Sequence, residues 1–515
     1  MKVVGLCHPR SHGAFVKEIL DQCGCKVGNE RFDQDGILGW PLCMIESQNK
    51  EVDSFVFLPP EVRCIPPADN LIHIVRDPFY LIPDLIYNET SIQCRVDLFT
   101  KTEKGANLLE QEIDSICKFD EYIRSKNPTI TYKVEDDSNK LSKHFNTETQ
   151  LSNPQNCEFT MGDVLLEFGE PRLKYKVMIN EYCERYGYPH LFEVKKIENP
   201  PTIIVLIAAY RDTELPKTLQ SLIHEAMYPE RLRFGINLQL SEEDKKVCGK
   251  YHFPYHPHYR ILEFDSKQSK GACWARNETG KLYKNETFFC QIDSHMRAEK
   301  YWDQELVESW QRAEDPNAIL STFVAGYKHD TEYRYTDQLP HMKNGKFNSS
   351  IYGAQAEALT LPTQRPCKPQ LNPYVAGGLI FGPGKVIKDV PYDPRGYFFG
   401  EEITMAVRYW THGYNMYTPD VNIFYHLYER HNVGDSYHTH WSDRVSIDQH
   451  QNPAVCRIHK LLGSKKMSDI PQFKKEYVLD LPKYGLGKVR SLKQYEKFAG
   501  INFKENTVEE KNCWE

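Results

Sequence analysis

The run Thr202 to Tyr210 (TIIVLIAAY) limits the possible folds of this chain more than any other stretch. It is apolar without alternation, so as a strand it must be buried on both faces, as in the centre of a mainly parallel sheet. It is also far shorter than the roughly 18 to 20 apolar residues that a membrane-spanning helix needs. Leu215, Leu219, Leu222 and Ile223 follow at helical spacing. Further strands are predicted at Arg233 to Leu240, Tyr259 to Phe264, Thr287 to Ile292 and Ala318 to Val324, with helices at Gly271 to Leu282 and Tyr301 to Ala313. The alternation predicts an α/β domain with a nucleotide-binding layout.

The same grammar begins at Met1, where MKVVGLC reads as a short strand. A chain of 515 residues exceeds what one core of roughly 250 to 300 residues supports. The Pro-punctuated joint Glu198-Asn199-Pro200-Pro201-Thr202 divides it into expected domains 1–197 and 202–515. A net charge of −7 without a basic block predicts no nucleic-acid partner and no anionic membrane surface. The N-terminus lacks the apolar region of a signal peptide, and fifteen cysteines are an odd number. Both features predict a soluble, cytoplasmic protein with reduced thiols. Cys23 and Cys25 have no second pair nearby to complete a zinc site and read as structural.

The sharpest chemical signal is Phe288-Phe289-Cys290-Gln291-Ile292-Asp293-Ser294-His295, an apolar strand ending in two potential ligands. In an extended segment, positions i and i+2 project to one side, so Asp293 and His295 can share an ion. A carboxylate and an imidazole together suit Mn²⁺ or Mg²⁺, which also binds diphosphate oxygens. Alone, Asp-Ser-His is an ordinary turn. Its company raises its weight. Ala208-Ala209-Tyr210-Arg211-Asp212 lies at the C-terminal edge of the first strand, where open α/β sheets bind nucleotides. Downstream come Gly377-Gly378, which lets backbone approach a ligand closely, then Phe399-Gly400-Glu401-Glu402 and Phe424-Tyr425-His426-Leu427-Tyr428. Glu401 and Glu402 open a predicted helix, Glu401 to Thr411, whose dipole alone favours acidic residues there.

In this combination and order, residues from about Thr202 to Phe503 resemble the family 60 glycosyltransferases, the group that includes the Skp1 hydroxyproline N-acetylglucosaminyltransferases. The resemblance extends into Arg457-Ile458-His459-Lys460-Leu461-Leu462-Gly463 and Tyr484-Gly485-Leu486-Gly487-Lys488-Val489-Arg490. It implies a GT-A fold and a retaining transfer of a sugar, GlcNAc first, from a UDP-sugar to a hydroxyl on a protein or glycan. It further implies that Asp293, His295 and His426 hold the metal, and that Ala209, Tyr210, Arg211, Asp212, Arg276, Ser294, Gly377 and Gly378 contact the donor. Glu401 or Glu402 would face the acceptor or the transferred sugar, with Asp293 serving the reaction through the metal.

Cys7-His8-Pro9-Arg10-Ser11-His12-Gly13 and Leu71-Ile72-His73-Ile74-Val75-Arg76-Asp77-Pro78 are similar to elements of P-loop-type sulfotransferases, with Arg10, Ser11 and Arg76 as the residues of interest. The departures are substantial: no Lys stands in the loop, and Asp84 falls where a hydroxyl would help hold a phosphate. A degenerate or acceptor-binding domain is the expectation for this half, with an active sulfotransferase or an unrelated α/β domain as alternatives; for the whole chain the alternatives are a bifunctional glycosyl- and sulfotransferase, or a binding protein built from two retired enzyme folds.

Overall fold

The computed structural model describes residues 3–7, 13–29, 36–39, 68–88, 108–135, 138–145, 160–168, 171–194, 197–247, 253–335, 340–348, 353–360, 368–429 and 438–511. The chain divides into two compact units, Met1–Lys196 and Ile197–Glu515. Among the described residues, no helix is long and apolar enough to cross a membrane.

The first unit is a parallel sheet of five strands: β1 (Val3–Cys7), β2 (Val27–Asn29), β3 (Gly36–Gly39), β4 (Asn70–Val75) and β5 (Ile130–Lys133), in the order β2-β3-β1-β4-β5. Ile72, Ile74 and Tyr132 bury their side chains with those of the helix Gly13–Gln22. Arg76, just beyond β4, is buried, and its guanidinium bonds Asp84 at 2.8 Å. A phosphate or sulfate would have to displace that carboxylate. Arg10 and Ser11 lie outside the described residues.

The second unit is built on an eight-stranded sheet. Its parallel half consists of β6 (Ile203–Tyr210), β7 (Leu232–Leu240), β8 (Tyr259–Asp265) and β9 (Phe288–Ile292). Then come β10 (Met296–Ala298), β11 (Ala318–Ser321), β12 (Ala325–Gly326), the hairpin of β13 (Pro340–Asn348) and β14 (Gly353–Thr360), β15 (Gln370–Asn372), β16 (Leu379–Pro383), β17 (Asn415–Thr418) and β18 (Phe424–His426). The large sheet runs β15-β17-β11-β16-β9-β6-β7-β8, with β16 antiparallel to both neighbours, so it is mixed rather than uniformly parallel. A small sheet, β10-β18-β12, stands beside it.

Strand β6 is buried on both faces for the reason its sequence suggests. Ile203, Val205, Ile207 and Ala209 join one core with Leu215, Leu219 and Trp302, while Ile204 and Leu206 join another with Ile403, Met405 and Tyr409. The predicted strand Ala318 to Val324 is instead divided. The Ser321 hydroxyl donates to the Leu379 carbonyl at 2.6 Å and accepts from the Ala376 amide at 2.8 Å, ending β11, and β12 crosses to the small sheet.

Below the parallel strands lies a fully buried ion pair. Asp303 accepts from Arg231 Nε at 2.9 Å and from the amides of Met227 at 2.6 Å and Tyr228 at 3.1 Å. Burial pushes the Asp303 carboxyl up and the Arg231 guanidinium down, so each charge depends on the other. Asp303→Ala strands a buried cation and two amides, and is expected to destabilise the second unit by about 3–5 kcal/mol, measured as a lower denaturant midpoint.

Candidate functional site

Strand β9 ends at Ile292, and the chain bends through Asp293, Ser294 and His295 before β10 begins. The sequence suggests an extended segment here. The bend forms because Thr218 clamps it: its hydroxyl donates to the Ser294 carbonyl at 2.8 Å and accepts from the Met296 amide at 2.9 Å. β10 pairs antiparallel with β18, setting Met296 opposite His426. Two histidines 131 positions apart thereby meet, with their Nε2 atoms 3.0 Å from each other. His426 Nε2 lies 3.3 Å from Asp293 Oδ2, and one ligating atom from each of the three residues falls within 4.8 Å of the others.

Asp212 stands behind His295. Its Oδ2 accepts from His295 Nδ1 at 2.7 Å and from the Ser294 hydroxyl at 2.6 Å, while Oδ1 accepts from the Glu214 amide at 3.0 Å. Because a carboxylate only accepts, the imidazole proton sits on Nδ1 and Nε2 presents a lone pair toward His426 and Asp293. Two imidazole nitrogens and a carboxylate converging on one point, with a second carboxylate behind one imidazole, suit a divalent cation, which would take the place of the proton shared between His426 and Asp293.

Arg276, buried on the helix Ala272–Gly280, ties the acidic side chains together. It donates to Asp293 Oδ1 at 2.9 Å, to the Gly377 carbonyl at 3.1 Å and, in a short contact, to Glu401 Oε1. A Cβ at Gly377 would sit 2.7 Å from Arg276 Nη1, and one at Gly378 would sit 3.3 Å from Asp293 Oδ2. The missing side chains are what allow backbone, guanidinium and carboxylate to approach. Burial opposes ionisation of Asp293, but the hydrogen bond from His426 and the charge of Arg276 hold its carboxyl well below the usual range.

Glu401 and Glu402 begin the helix Glu401–Thr411 after Gly400, whose φ of 80° favours glycine. Their surroundings differ. Glu401 accepts from Arg276 and from the Tyr392 hydroxyl, the latter at 2.7 Å. Among the described residues Glu402 accepts only from the Gly377 amide, at 2.8 Å, and burial, aided by the charge of Glu401, pushes it up to about 7.

A cleft of about 130 Å³ opens beside the cluster, lined in part by Ala208, Tyr210, Asp212, Arg276, Asp293, Ser294 and His295. Four residues expected among the donor contacts, Ala209, Arg211, Gly377 and Gly378, are not in its lining. Ala209 is buried in the core because side chains alternate along β6, which leaves Ala208 and Tyr210 facing the cleft. Arg211 adopts a φ of 48° and commits its guanidinium to Asp244, at 2.7 and 3.0 Å, and to Asp443, at 2.8 Å. Asp212 does line the cleft, but its carboxylate serves His295 and Ser294.

The lining also includes residues that no sequence motif singles out: Tyr397, Phe398 and the run His438-Thr439-His440-Trp441, with the His440 ring centre 5.4 Å from that of Tyr210. Only the density of imidazole and indole groups in that run could have drawn attention to it. Burial holds His440 neutral, down to about 4; its Nε2–H donates to the Ser269 carbonyl at 3.0 Å and its Nδ1 accepts from the Tyr397 hydroxyl at 2.8 Å.

Glu402 yields a pH prediction. Its folded value of about 7 lies above the ordinary 4.5, so the native state favours the protonated form; that stabilisation is complete below about 4.5 and is lost as pH rises through about 7. In chelator-treated protein, Glu402→Gln, which mimics the protonated group, is expected to match wild type near pH 4.5 and to exceed it in stability above pH 7. Parallel stability curves for the two proteins would remove the assignment.

A protein-family model described as Glycosyltransferase (GlcNAc) matches residues 202–254 and 250–505, more than half of the chain. No curated protein matches it. Among solved structures, GalNAc-T7 with UDP, GalNAc and Mn²⁺ is 14% identical, covering 58% of this chain and 57% of that one, with a TM-score of 0.44. The mannosyltransferase PcManGT from Pyrobaculum calidifontis, with GDP-Man and Mn²⁺, is 12% identical over 50% of this chain and 65% of that one, at a TM-score of 0.29. S. aureus TarS 1-349 with UDP-GlcNAc is 12% identical over 55% and 80%, at 0.31. This chain thus spans less than two thirds of the first two. The family match covers β6 to β19 (Ile501–Asn502), the cluster at Asp293 included, and the chain belongs to the Glycosyltransferase (GlcNAc) family.

Proposed function

We propose that the second unit is a GT-A-type, divalent-cation-dependent, retaining glycosyltransferase that moves GlcNAc from UDP-GlcNAc to a hydroxyl on a protein or glycan. The observation carrying this reading is the convergence of Asp293, His295 and His426, with Asp212 orienting His295 from behind. Those three side chains would hold Mn²⁺ or Mg²⁺, which when bound offsets charge on the departing diphosphate. The remaining roles belong to the protein. Tyr210 and Ser294 line the donor cleft, and Arg276 sets the spacing between Asp293 and Glu401. Glu401, held by Arg276 and Tyr392, is oriented to accept from a sugar or acceptor hydroxyl. Glu402, whose carboxyl is pushed up by burial, can donate to one when protonated. No protein base is assigned, because in a front-face attack the leaving phosphate takes the acceptor proton. Positioning and electrostatics then supply most of the rate enhancement.

For the first unit, the reading is a sulfotransferase-like domain without donor chemistry, supported by the Arg76–Asp84 pair that neutralises the arginine such a site would use.

Hydrolysis of a panel of UDP- and GDP-sugars with Mn²⁺ is expected to single out UDP-GlcNAc, to stop on adding chelator and to be abolished in His426→Ala. Turnover of no donor, or turnover indifferent to chelator, would refute the reading. Asp212→Ala removes the acceptor that fixes the His295 tautomer, and should weaken Mn²⁺ binding by about 10–100-fold in calorimetric titration. Unchanged affinity would mean that Asp212 does not act through His295.

A further inference from the structure

Arg276 also lines a second and much larger cavity, of about 600 Å³, distinct from the cleft at the metal cluster. Its apolar walls include Leu206 and Phe289, from the face of β6 and β9 opposite Ile207 and Cys290, together with Val386, Val390 and Tyr409. Gln291 and Tyr392 supply polar contacts: Gln291 Nε2 donates to the Tyr392 hydroxyl at 2.9 Å and to the Gly377 carbonyl at 3.0 Å. The volume is that of a small-molecule site, for which apolar walls with a few placed polar groups are typical.

The exposed lining is cationic. Lys270, Lys281, Lys388 and Lys483 all reach solvent, against a single acidic side chain, Glu278. Lys281 is paired with Glu278 at 2.6 Å. The other three form no salt bridge among the described residues. Lys388 Nζ stands 5.3 Å from the Tyr283 ring centre and donates to Asn285 Oδ1 at 2.7 Å, and Lys483 Nζ stands 5.5 Å from the ring centre of Tyr484.

We propose that this cavity is a second ligand site, taking a small organic anion with an apolar or aromatic body. The body covers the walls around Leu206, Phe289 and Val390, and the anionic group meets Lys270, Lys388 and Lys483. Charge complementarity selects the anion, and the apolar walls exclude a bare inorganic one. The site does not depend on the glycosyl-transfer reading, although Tyr392, which lines it, also bonds Glu401.

The test is a fluorescence titration of the full chain with 8-anilinonaphthalene-1-sulfonate. One-site binding is expected, at least ten-fold weaker in the triple variant Lys270→Glu, Lys388→Glu, Lys483→Glu, whose changes are all on the surface and should leave the fold intact. The neutral N-phenyl-1-naphthylamine should bind wild type at least ten-fold more weakly than the sulfonate. Saturating UDP with Mn²⁺ should not displace the dye. Absence of binding, equal affinity in the triple variant, equal affinity for the neutral dye, or displacement by UDP with Mn²⁺ would each overturn the proposal. The lysine variants decide the question even if no donor sugar is ever turned over.

Discussion

The pairing of β10 with β18 is the contact on which the rest of the site depends. Met296 faces His426 across two short antiparallel strands, and the backbone continues the match, with the Leu427 amide donating to the His295 carbonyl at 3.2 Å. β12 closes the small sheet on the other side. A slip of one residue would turn His426 away from the cluster, since side chains alternate along a strand. Phe424, packed on Trp302 in the core, opposes such a slip because its ring would have to leave that core.

Around this anchor the charges are divided unequally. Four carboxylates, those of Asp212, Asp293, Glu401 and Glu402, crowd one edge of the sheet, and Arg276 is the cation that touches two of them directly. Repulsion is relieved by giving each its own set of donors, with Arg276 shared: His295, Ser294 and the Glu214 amide for Asp212, Arg276 and His426 for Asp293, Arg276 and Tyr392 for Glu401. Glu402, left with one amide, is the one that keeps its proton up to about pH 7. Such a separation of neighbouring carboxyl groups is how one site can offer both an acceptor and a donor.

The cleft depends equally on residues outside the cluster of Asp293, His295 and His426. Asp443 accepts from both the Tyr210 hydroxyl, at 2.9 Å, and Arg211, holding the segment with His438 to Trp441 against the end of β6. Arg211 at a φ of 48° is a strained position for a side-chain-bearing residue, and its bonds to Asp244 and Asp443 compensate for that strain.

What the sequence determined by itself is whatever follows from local periodicity and hydrophobicity. The doubly buried strand Ile203–Tyr210, the helix Trp302–Arg312 and the helix Glu401–Thr411 lie within a residue of where pattern alone puts them, because burial and helical spacing act over a few neighbours. Tertiary structure alone decided that Ala208 and not Ala209 meets the cleft, that Arg211 is spent on two aspartates, that Asp212 stands behind an imidazole, and that His438 to Trp441 line the cleft. These depend on strand phase and on contacts between residues as far as 233 positions apart, and no local pattern in the chain encodes a partner at that distance.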